Sequence, residues 1–312
     1  MLGVINMAIY MIYGSTSDKE KILPGIIEFT RQYDDNVMIE YASADNTPRK
    51  VDDVLGFIVR NDADVVASGA GMSNVLTGVT KQRFSHEKLM IGVPITDSST
   101  GGISSLLSTS EKPPGNPVLT VGLNNSYAAA NIARKFGSAH FQEVKIYSGE
   151  RVYDVDDSHI DKLAAELEKL KVPYDVTADI GQDDLVFNVF SFFNDYERAT
   201  ISQPTDLQSI DEMLNSGDGI QVGIKSKEQV KRYDQYMEAI DGLGSTGIVG
   251  IGAYKNAAIV ASQLTKDGYA LDMIRDEKWK KFEDLSAVEK ELAAGGQLFL
   301  YDADNNSFRE VA

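Results

Sequence analysis

The chain of 312 residues is 43% apolar and 25% charged, which is typical of a globular protein of about two domains. No run of 18 apolar residues is present to cross a bilayer, and 30 Lys and Arg against 47 Asp and Glu give a net charge of −17 that repels nucleic acid and anionic membranes. The absence of cysteine excludes disulfides and thiolate catalysis and agrees with a cytoplasmic protein.

The first half of the chain alternates apolar runs with amphipathic segments. Its opening, "MLGVINMAIYMIYG", lacks the basic region and cleavage site of a signal peptide, so we predict a first strand there. Predicted helices near 18–33, 48–61 and 73–84 are separated by the predicted strands "VMIEYA" and "DVVAS", and "LMIGVP" follows the third helix. This alternation predicts a parallel sheet with helices on both faces.

The second half repeats the same order of elements. Its "VPYDVTAD" matches the earlier "VMIEYASAD", and "GIVGIGAYKNAAIVASQL" matches "PVLTVGLNNSYAAANIAR". We therefore interpret the chain as a tandem duplication with a boundary near 137–142, giving domains 1–139 and 140–312. After Leu264 a charged helical tail precedes two short strands around "DADNN", which predict a C-terminal β-hairpin.

Small polar turns follow three predicted strands of the first half. They read "GSTSD" (14–18), "SADN" (43–46) and "SGAGMSN" (68–74). Ligands of open parallel sheets bind beyond the carboxyl ends of the strands, where glycine lets backbone N–H groups approach an anion. One such turn is as well explained by a simple connection, but three adjacent turns favour a pocket. The second-half turns have largely lost their hydroxyls, so we expect one site per chain.

The three histidines are far apart in sequence and have no metal-ligand spacing, so neither a metal site nor a cofactor is expected.

These turns, together with "IGVPITDSSTGGISSLLST", "PPGNPV" and "KNAAIVASQL", resemble the PurE family of aminoimidazole ribonucleotide carboxylases and carboxyaminoimidazole ribonucleotide mutases. The resemblance covers nearly all of 7–136 and, faintly, the second half. The run Gly71–Gly78 is more similar to the "GRSNALSG" of the carbon dioxide-using carboxylases than to the "GGAAHLPG" of the mutases.

The resemblance implies a fold and an assembly. The fold is α/β, with two tandem flavodoxin-like three-layer units that have parallel central sheets, followed by the C-terminal helix and hairpin. PurE-like enzymes are octamers of single domains, so we expect a homotetramer whose eight units mimic that octamer.

The resemblance also implies a substrate and the residues that hold it. The substrate would be a small phosphorylated ribonucleotide, with carbon dioxide as its co-substrate in the carboxylases. The implied substrate-binding residues are Gly14, Ser15, Ser17, Asp18, Ser43, Asn46, Gly69, Ala70, Gly71, Ser73 and Asn74.

The turn after the second strand departs from the family pattern. The family has "SAHRTP" or "SAHKTA", in which the His moves the proton at the reacting carbon and the basic residue holds the phosphate. Here the two positions carry Asp45 and Asn46, and Arg49 or Lys50 is the candidate replacement for the missing positive charge.

A carboxylate can accept the proton that the ring carbon loses, but returning it at neutral pH requires a pKa raised by burial or by a nearby anion. This leaves three hypotheses. The chain is a carboxylase or mutase with Asp45 as its catalytic residue, a non-catalytic nucleotide or anion sensor on the same scaffold, or a structural partner of a standard paralogue.

Overall fold

The computed structural model describes residues 9–61, 63–84, 88–138, 141–149, 157–190, 193–195, 200–202, 205–225, 240–241, 244–276, 298–302 and 307–311. The chain divides into two compact units, Met1–Leu271 and Asp272–Ala312. Both predicted halves therefore lie mainly in the first unit. None of the described helices combines the length and the apolar character that crossing a membrane requires.

Strands and helices alternate through the first half at the predicted places. The strands are β1 (Ile9–Tyr13), β2 (Val37–Tyr41), β3 (Val65–Ala70), β4 (Leu89–Pro94) and β5 (Leu119–Thr120). The helices are α1 (Lys19–Gln32), α2 (Pro48–Arg60), α3 (Val75–Arg83), α4 (Ile103–Ser110) and α5 (Ser126–Ser138), with a short 3₁₀ helix at Thr16–Asp18 before α1.

The second half has the same strand plan as the first, but residues 178–184, between its second and third strands, form no helix, and two short strands follow the third strand. Its strands are β6 (Val144–Tyr147), β7 (Tyr174–Thr177), β8 (Leu185–Phe190), β9 (Phe193–Asp195), β10 (Thr200–Ser202), β11 (Ile220–Lys225) and β12 (Gly247–Val249). Its helices are α6 (Ser158–Leu170), α7 (Thr205–Leu214) and α8 (Tyr254–Thr265), and residues 268–276 are also helical. Strands β9 and β10 form a separate antiparallel pair.

One ten-stranded sheet runs through both halves in the order β2-β1-β3-β4-β5-β12-β11-β8-β6-β7. Within each half the described neighbours pair in parallel, whereas β5 and β12 pair antiparallel through Thr120 and Ile248. The predicted parallel sheets are thus confirmed. Because β5 and β12 run in opposite directions, the carboxyl ends of the two halves lie at opposite edges of the sheet.

Apolar side chains at helical spacing form the core on both faces of the sheet. Helix α1 buries Ile22, Ile26 and Phe29, and α6 buries Ile160 and Leu163 together with later leucines one turn apart. Packing such a stripe against the sheet stabilises the fold by about 25 cal/mol for each Å² of apolar surface removed from water. The small residues Ala128, Ala129, Ala130 and Ala133 of α5 are fully buried, and the helix packs against α1, β3 and β4.

The second unit contains the predicted C-terminal hairpin. Strands β13 (Leu298–Asp302) and β14 (Ser307–Val311) pair antiparallel, as the alternating sequence around "DADNN" indicates. The charged segment 277–297 lies outside the described residues, so its predicted helix stays a prediction.

Candidate functional site

A cleft of about 520 Å³ lies at the carboxyl ends of the first-half strands, where the three predicted turns meet. Parallel neighbours β2, β1, β3 and β4 end side by side, which brings turns that are distant in sequence together. The cleft is lined by Gly14, Ser15, Ser17, Asp18, Lys21, Ser43, Ala44, Asp45, Asn46, Ala70, Gly71, Met72, Ser73, Val75, Leu76, Thr96, Asp97 and Ser98.

The turn after β1 presents two hydroxyl groups. Ser15 caps the 3₁₀ helix, because its Oγ accepts a hydrogen bond from Ser17 N at 3.1 Å, and the two Oγ atoms lie 2.7 Å apart. Both serines are exposed to the cleft. A Cβ on Gly14 would lie 2.9 Å from Ala70 Cβ, so glycine at this position allows the β1 and β3 turns to approach each other.

Asp18 forms the buried end of the same turn. Only 6% of the residue is exposed, and this burial raises the pKa of its carboxyl group, an effect that the positive charge of Lys21 opposes. Lys21 Nζ lies 3.9 Å from Asp18 Oδ1 and also donates a 2.5 Å hydrogen bond to Thr96 O. Asp18 therefore offers the cleft a carboxylate acceptor of the kind that suits a ribose diol.

The turn after β2 is held together by its own side chains. Thr47 is the N-cap residue of α2 and Pro48 opens the helix, but the Thr47 hydroxyl bonds back to Ser43, accepting from its N–H at 2.9 Å, and does not cap the helix. Ser43 Oγ accepts hydrogen bonds from Asn46 N at 3.1 Å and from Asn46 Nδ2 at 3.3 Å. These two bonds fill its acceptor positions and leave its O–H to donate to a ligand.

Asp45 stands between these residues, exposed and facing the cleft. The structure thus brings the predicted catalytic carboxylate into the same cleft as the serine hydroxyls of the β1 and β2 turns.

Two of the predicted ligand residues in the third turn lie outside the cleft lining. A Cβ on Gly69 would lie 2.3 Å from Val93 O, so Gly69 permits close pairing of β3 with β4. Asn74 is fully buried; its Oδ1 accepts from Thr77 N at 3.2 Å and its Nδ2 donates to Thr109 Oγ1 at 2.8 Å. Asn74 therefore caps α3 and ties it to α4.

The remaining predicted residues of this turn, Ala70, Gly71 and Ser73, do line the cleft. Met72 lies between them, 64% exposed, with a left-handed φ of 55° that is uncommon for a residue with a side chain.

A fourth loop, after β4, completes the cleft and was missed by the sequence reasoning. Its Asp97 accepts four hydrogen bonds, from the N–H and hydroxyl groups of Ser99 and Thr100, and these bonds hold the pKa of the Asp97 carboxyl well below its usual range. An Asp followed by hydroxyl residues in "TDSST" is the sequence signal of such a turn.

The charges that line the cleft are mostly negative. Asp18, Asp45 and Asp97 face a single cation, Lys21, among the lining residues in the part of the chain that the structure describes. Neither of the two candidate replacements lines the cleft: Arg49 is absent from its lining, and Lys50 is paired with Glu40 at 2.6 Å and lines a different groove beside β2. Within the same described part, no three acidic or histidine side chains converge as a metal site would require.

Comparison with known proteins agrees with this geometry. Residues 8–151 match the family model described as AIR carboxylase. The chain is 32% identical to an N5-carboxyaminoimidazole ribonucleotide mutase of Pyrococcus abyssi over 43% of this chain and 76% of that protein. It is 34% identical to the mutase of Methanocaldococcus jannaschii over 40% of this chain and 75% of that protein.

A further relative spans both halves. It is the probable N5-carboxyaminoimidazole ribonucleotide mutase of Methanothermobacter thermautotrophicus, 26% identical over 81% of this chain and 77% of that protein. The identity to the first two relatives extends over about three quarters of their length. The family model matches residues 8–151, which include the strand-end cleft. The chain belongs to the AIR carboxylase, or PurE, family.

Proposed function

We propose that the chain is a PurE-like enzyme that acts as a carboxylase or mutase on an aminoimidazole ribonucleotide or a related ribonucleotide, with Asp45 as its proton carrier. The observation that supports the proposal is the cleft that Asp45, Ser15, Ser17 and Ser43 line together. The names of the relatives favour the mutase reaction, whereas the Gly71–Gly78 turn resembles the carboxylases.

The chemistry needs a base next to the reacting ring carbon. That carbon attacks carbon dioxide, forming a C–C bond, and the ring regains its aromatic character when the same carbon loses its proton to the base. The Asp45 carboxylate takes that proton and becomes a carboxylic acid, which returns the proton in the reverse direction. Hydroxyl donors at the β1 and β2 turns would meanwhile hold the phosphorylated end of the substrate.

A second function is favoured by one specific observation. Asp45 stands where the family has its catalytic His, so the side chain that moves the proton in the family is missing. Under this alternative the protein is a non-catalytic nucleotide or anion-binding protein on a PurE scaffold. A structural role beside a standard paralogue needs no ligand at all.

The test is to assay the purified protein with aminoimidazole ribonucleotide plus bicarbonate and, separately, with its N5-carboxylated form. We expect slow turnover that Asp45→Asn abolishes. The double change Asp45→His with Asn46→Arg should raise the rate by about 10²- to 10⁴-fold, because imidazole both accepts and returns a proton near neutral pH.

Asp52→Asn is the matched control, since Asp52 lies on α2 in an exposed ion pair with Arg83. It should leave turnover unchanged. If all the variants bind the ribonucleotide and none turns it over, the binding-protein alternative replaces the enzyme. Absence of binding at millimolar concentration by both the wild type and the double variant rejects the aminoimidazole ligand.

The duplication and the tetramer belong to the same proposal. The mirrored strand order of the two halves supports descent from two fused copies, and a tetramer of fused chains would supply eight units. Light scattering at micromolar concentration should give four chains; a monomer would contradict the assembly.

A further inference from the structure

Lys21 lines the cleft although no sequence motif singles it out. It lies in the first turn of α1, four residues after Ser17 and three after Asp18, so helical geometry directs it toward the side of the cleft that these residues line. Its side chain is 37% exposed. The ammonium group therefore borders the cleft while remaining within reach of solvent and of a ligand.

The Lys21 ammonium is held in place by protein acceptors. Nζ donates to Thr96 O at 2.5 Å and lies 3.9 Å from Asp18 Oδ1. An ammonium group has three N–H donors, so these two contacts leave at least one N–H that can donate to a ligand. Because Thr96 belongs to the loop after β4, the lysine also connects the first and fourth walls of the cleft.

No other cation lines the cleft in the described part of the chain. Asn46 stands where the family has a basic residue, and Lys50 is engaged by Glu40 in a different groove. Among the described residues that line the cleft, Lys21 is therefore the cation available to an anionic ligand.

We propose that Lys21 supplies the cationic contact for the phosphate group of the ligand, in place of a basic residue at position 46. The inference rests on the proposed function only in taking the ligand to carry a phosphate. On binding, Nζ exchanges part of its contact with Thr96 O for a phosphate oxygen, and the serine hydroxyls of the neighbouring turns donate to the other oxygens.

The experiment compares a phosphorylated probe with an unphosphorylated one. Ribose 5-phosphate, aminoimidazole ribonucleotide and the corresponding riboside are titrated calorimetrically into the wild type, Lys21→Met, Lys21→Arg and Lys19→Met. Lys19 is the matched control, because it lies on the same helix, outside the cleft lining, and its loss changes the net charge equally.

We expect Lys21→Met to weaken both phosphorylated probes by about 10- to 100-fold, the scale of one charge-assisted hydrogen bond, and to leave riboside affinity within about twofold. Lys21→Arg should retain part of the affinity, and Lys19→Met should resemble the wild type. Raising the salt concentration should weaken phosphate binding less in Lys21→Met than in the wild type.

The proposal is overturned if Lys21→Met binds ribose 5-phosphate as well as the wild type does. It is overturned too if Lys21→Met loses as much affinity for the riboside as for the phosphorylated probes, because that result would indicate that Lys21 acts by holding Thr96 and Asp18. It is also overturned if the wild type does not bind ribose 5-phosphate. If ribose 5-phosphate binding depends on Lys21 but no aminoimidazole compound is bound or turned over, the phosphate contact stands and the proposed function fails.

Discussion

The two halves of the sheet share their strand order but differ at the ends of their third strands. Strand β3 reads "VVASGA" and pairs with β4 from Val65 to Ala70, whereas β8 reads "LVFNVF" and pairs with β11 in the equivalent register. Ala70 and Phe190 therefore occupy corresponding positions, opposite Pro94 and Lys225.

The residues at these two corresponding positions differ in side-chain size. Ala70 is small and lines the cleft, while Phe190 is 1% exposed and its ring would lie 2.8 Å from a Cβ on Gly223. At corresponding positions the first half thus carries a small residue that lines the cleft, and the second half carries a buried aromatic ring. This difference in bulk agrees with the expectation of one site per chain and involves no change in strand order.

The largest expected effect is on stability and comes from removing the Phe190 ring at the end of β8. Phe190→Ala should lower the free energy of unfolding by about 3–5 kcal/mol, because the ring is fully buried and its removal leaves a cavity. Chemical denaturation measures this, and ligand affinity of the first half should stay within twofold. A loss below about 1 kcal/mol would show that the ring does not fill the second-half strand end.

The reciprocal change adds a ring to Ala70 at the end of β3 and should lower stability by less. Ala70→Phe should destabilise the protein by about 1–3 kcal/mol through overpacking, since Ala70 Cβ already lies close to Gly14. Its ring should project into the cleft and weaken ribonucleotide binding at least 100-fold by calorimetry. Ala70→Ser, which adds little volume, is the control and should bind the ribonucleotide as the wild type does. Unaltered binding by Ala70→Phe would show that the ligand does not occupy this cleft.

The smallest expected effect compares the two buried aspartates, Asp18 of the first half and Asp211 of the second. Burial raises the pKa of both carboxyls above the ordinary 3.8. A raised pKa means that the folded state binds the proton more tightly, so stability falls as pH rises from 3.8 through the raised value. Asp18→Asn should remove this decline from melting temperatures measured between pH 3 and 7.

Asp211→Asn provides the contrast. The Asp211 carboxylate accepts hydrogen bonds from Ser245 N at 3.1 Å, Thr246 Oγ1 at 3.3 Å and Asn215 Nδ2 at 3.2 Å. An amide cannot replace all of these acceptors, so this variant should be less stable than the wild type at neutral pH. A pH profile of Asp18→Asn that parallels the wild type would contradict the burial argument for the first half.

Local patterns predicted the elements well, because they depend on neighbours in sequence. The buried spacing of α6 and the helix start at Pro48 both follow from such local signals. The meeting of the three turns was also predictable, because parallel strands bring their carboxyl ends to one edge.

Contacts between distant residues could not be predicted in the same way. Lys21 reaches the Thr96 carbonyl across 75 positions, and nothing near Lys21 in sequence indicates that contact. Asn74 looked like a ligand because of its turn, yet it caps α3 and bonds to Thr109, 35 positions away. The predicted boundary near 139 falls between two sequence halves whose strands share one sheet, and sequence patterns within each half do not reveal that connection.

The antiparallel junction between β5 and β12 also bears on how the chain folds during synthesis. The first half leaves the ribosome long before Gly247–Val249, so β5 must wait with one edge unpaired while the second half is made. An open sheet edge is a site for pairing with other nascent chains. At only two residues, Leu119–Thr120, β5 offers such partners very little backbone, and its short length protects the half-made protein from aggregation.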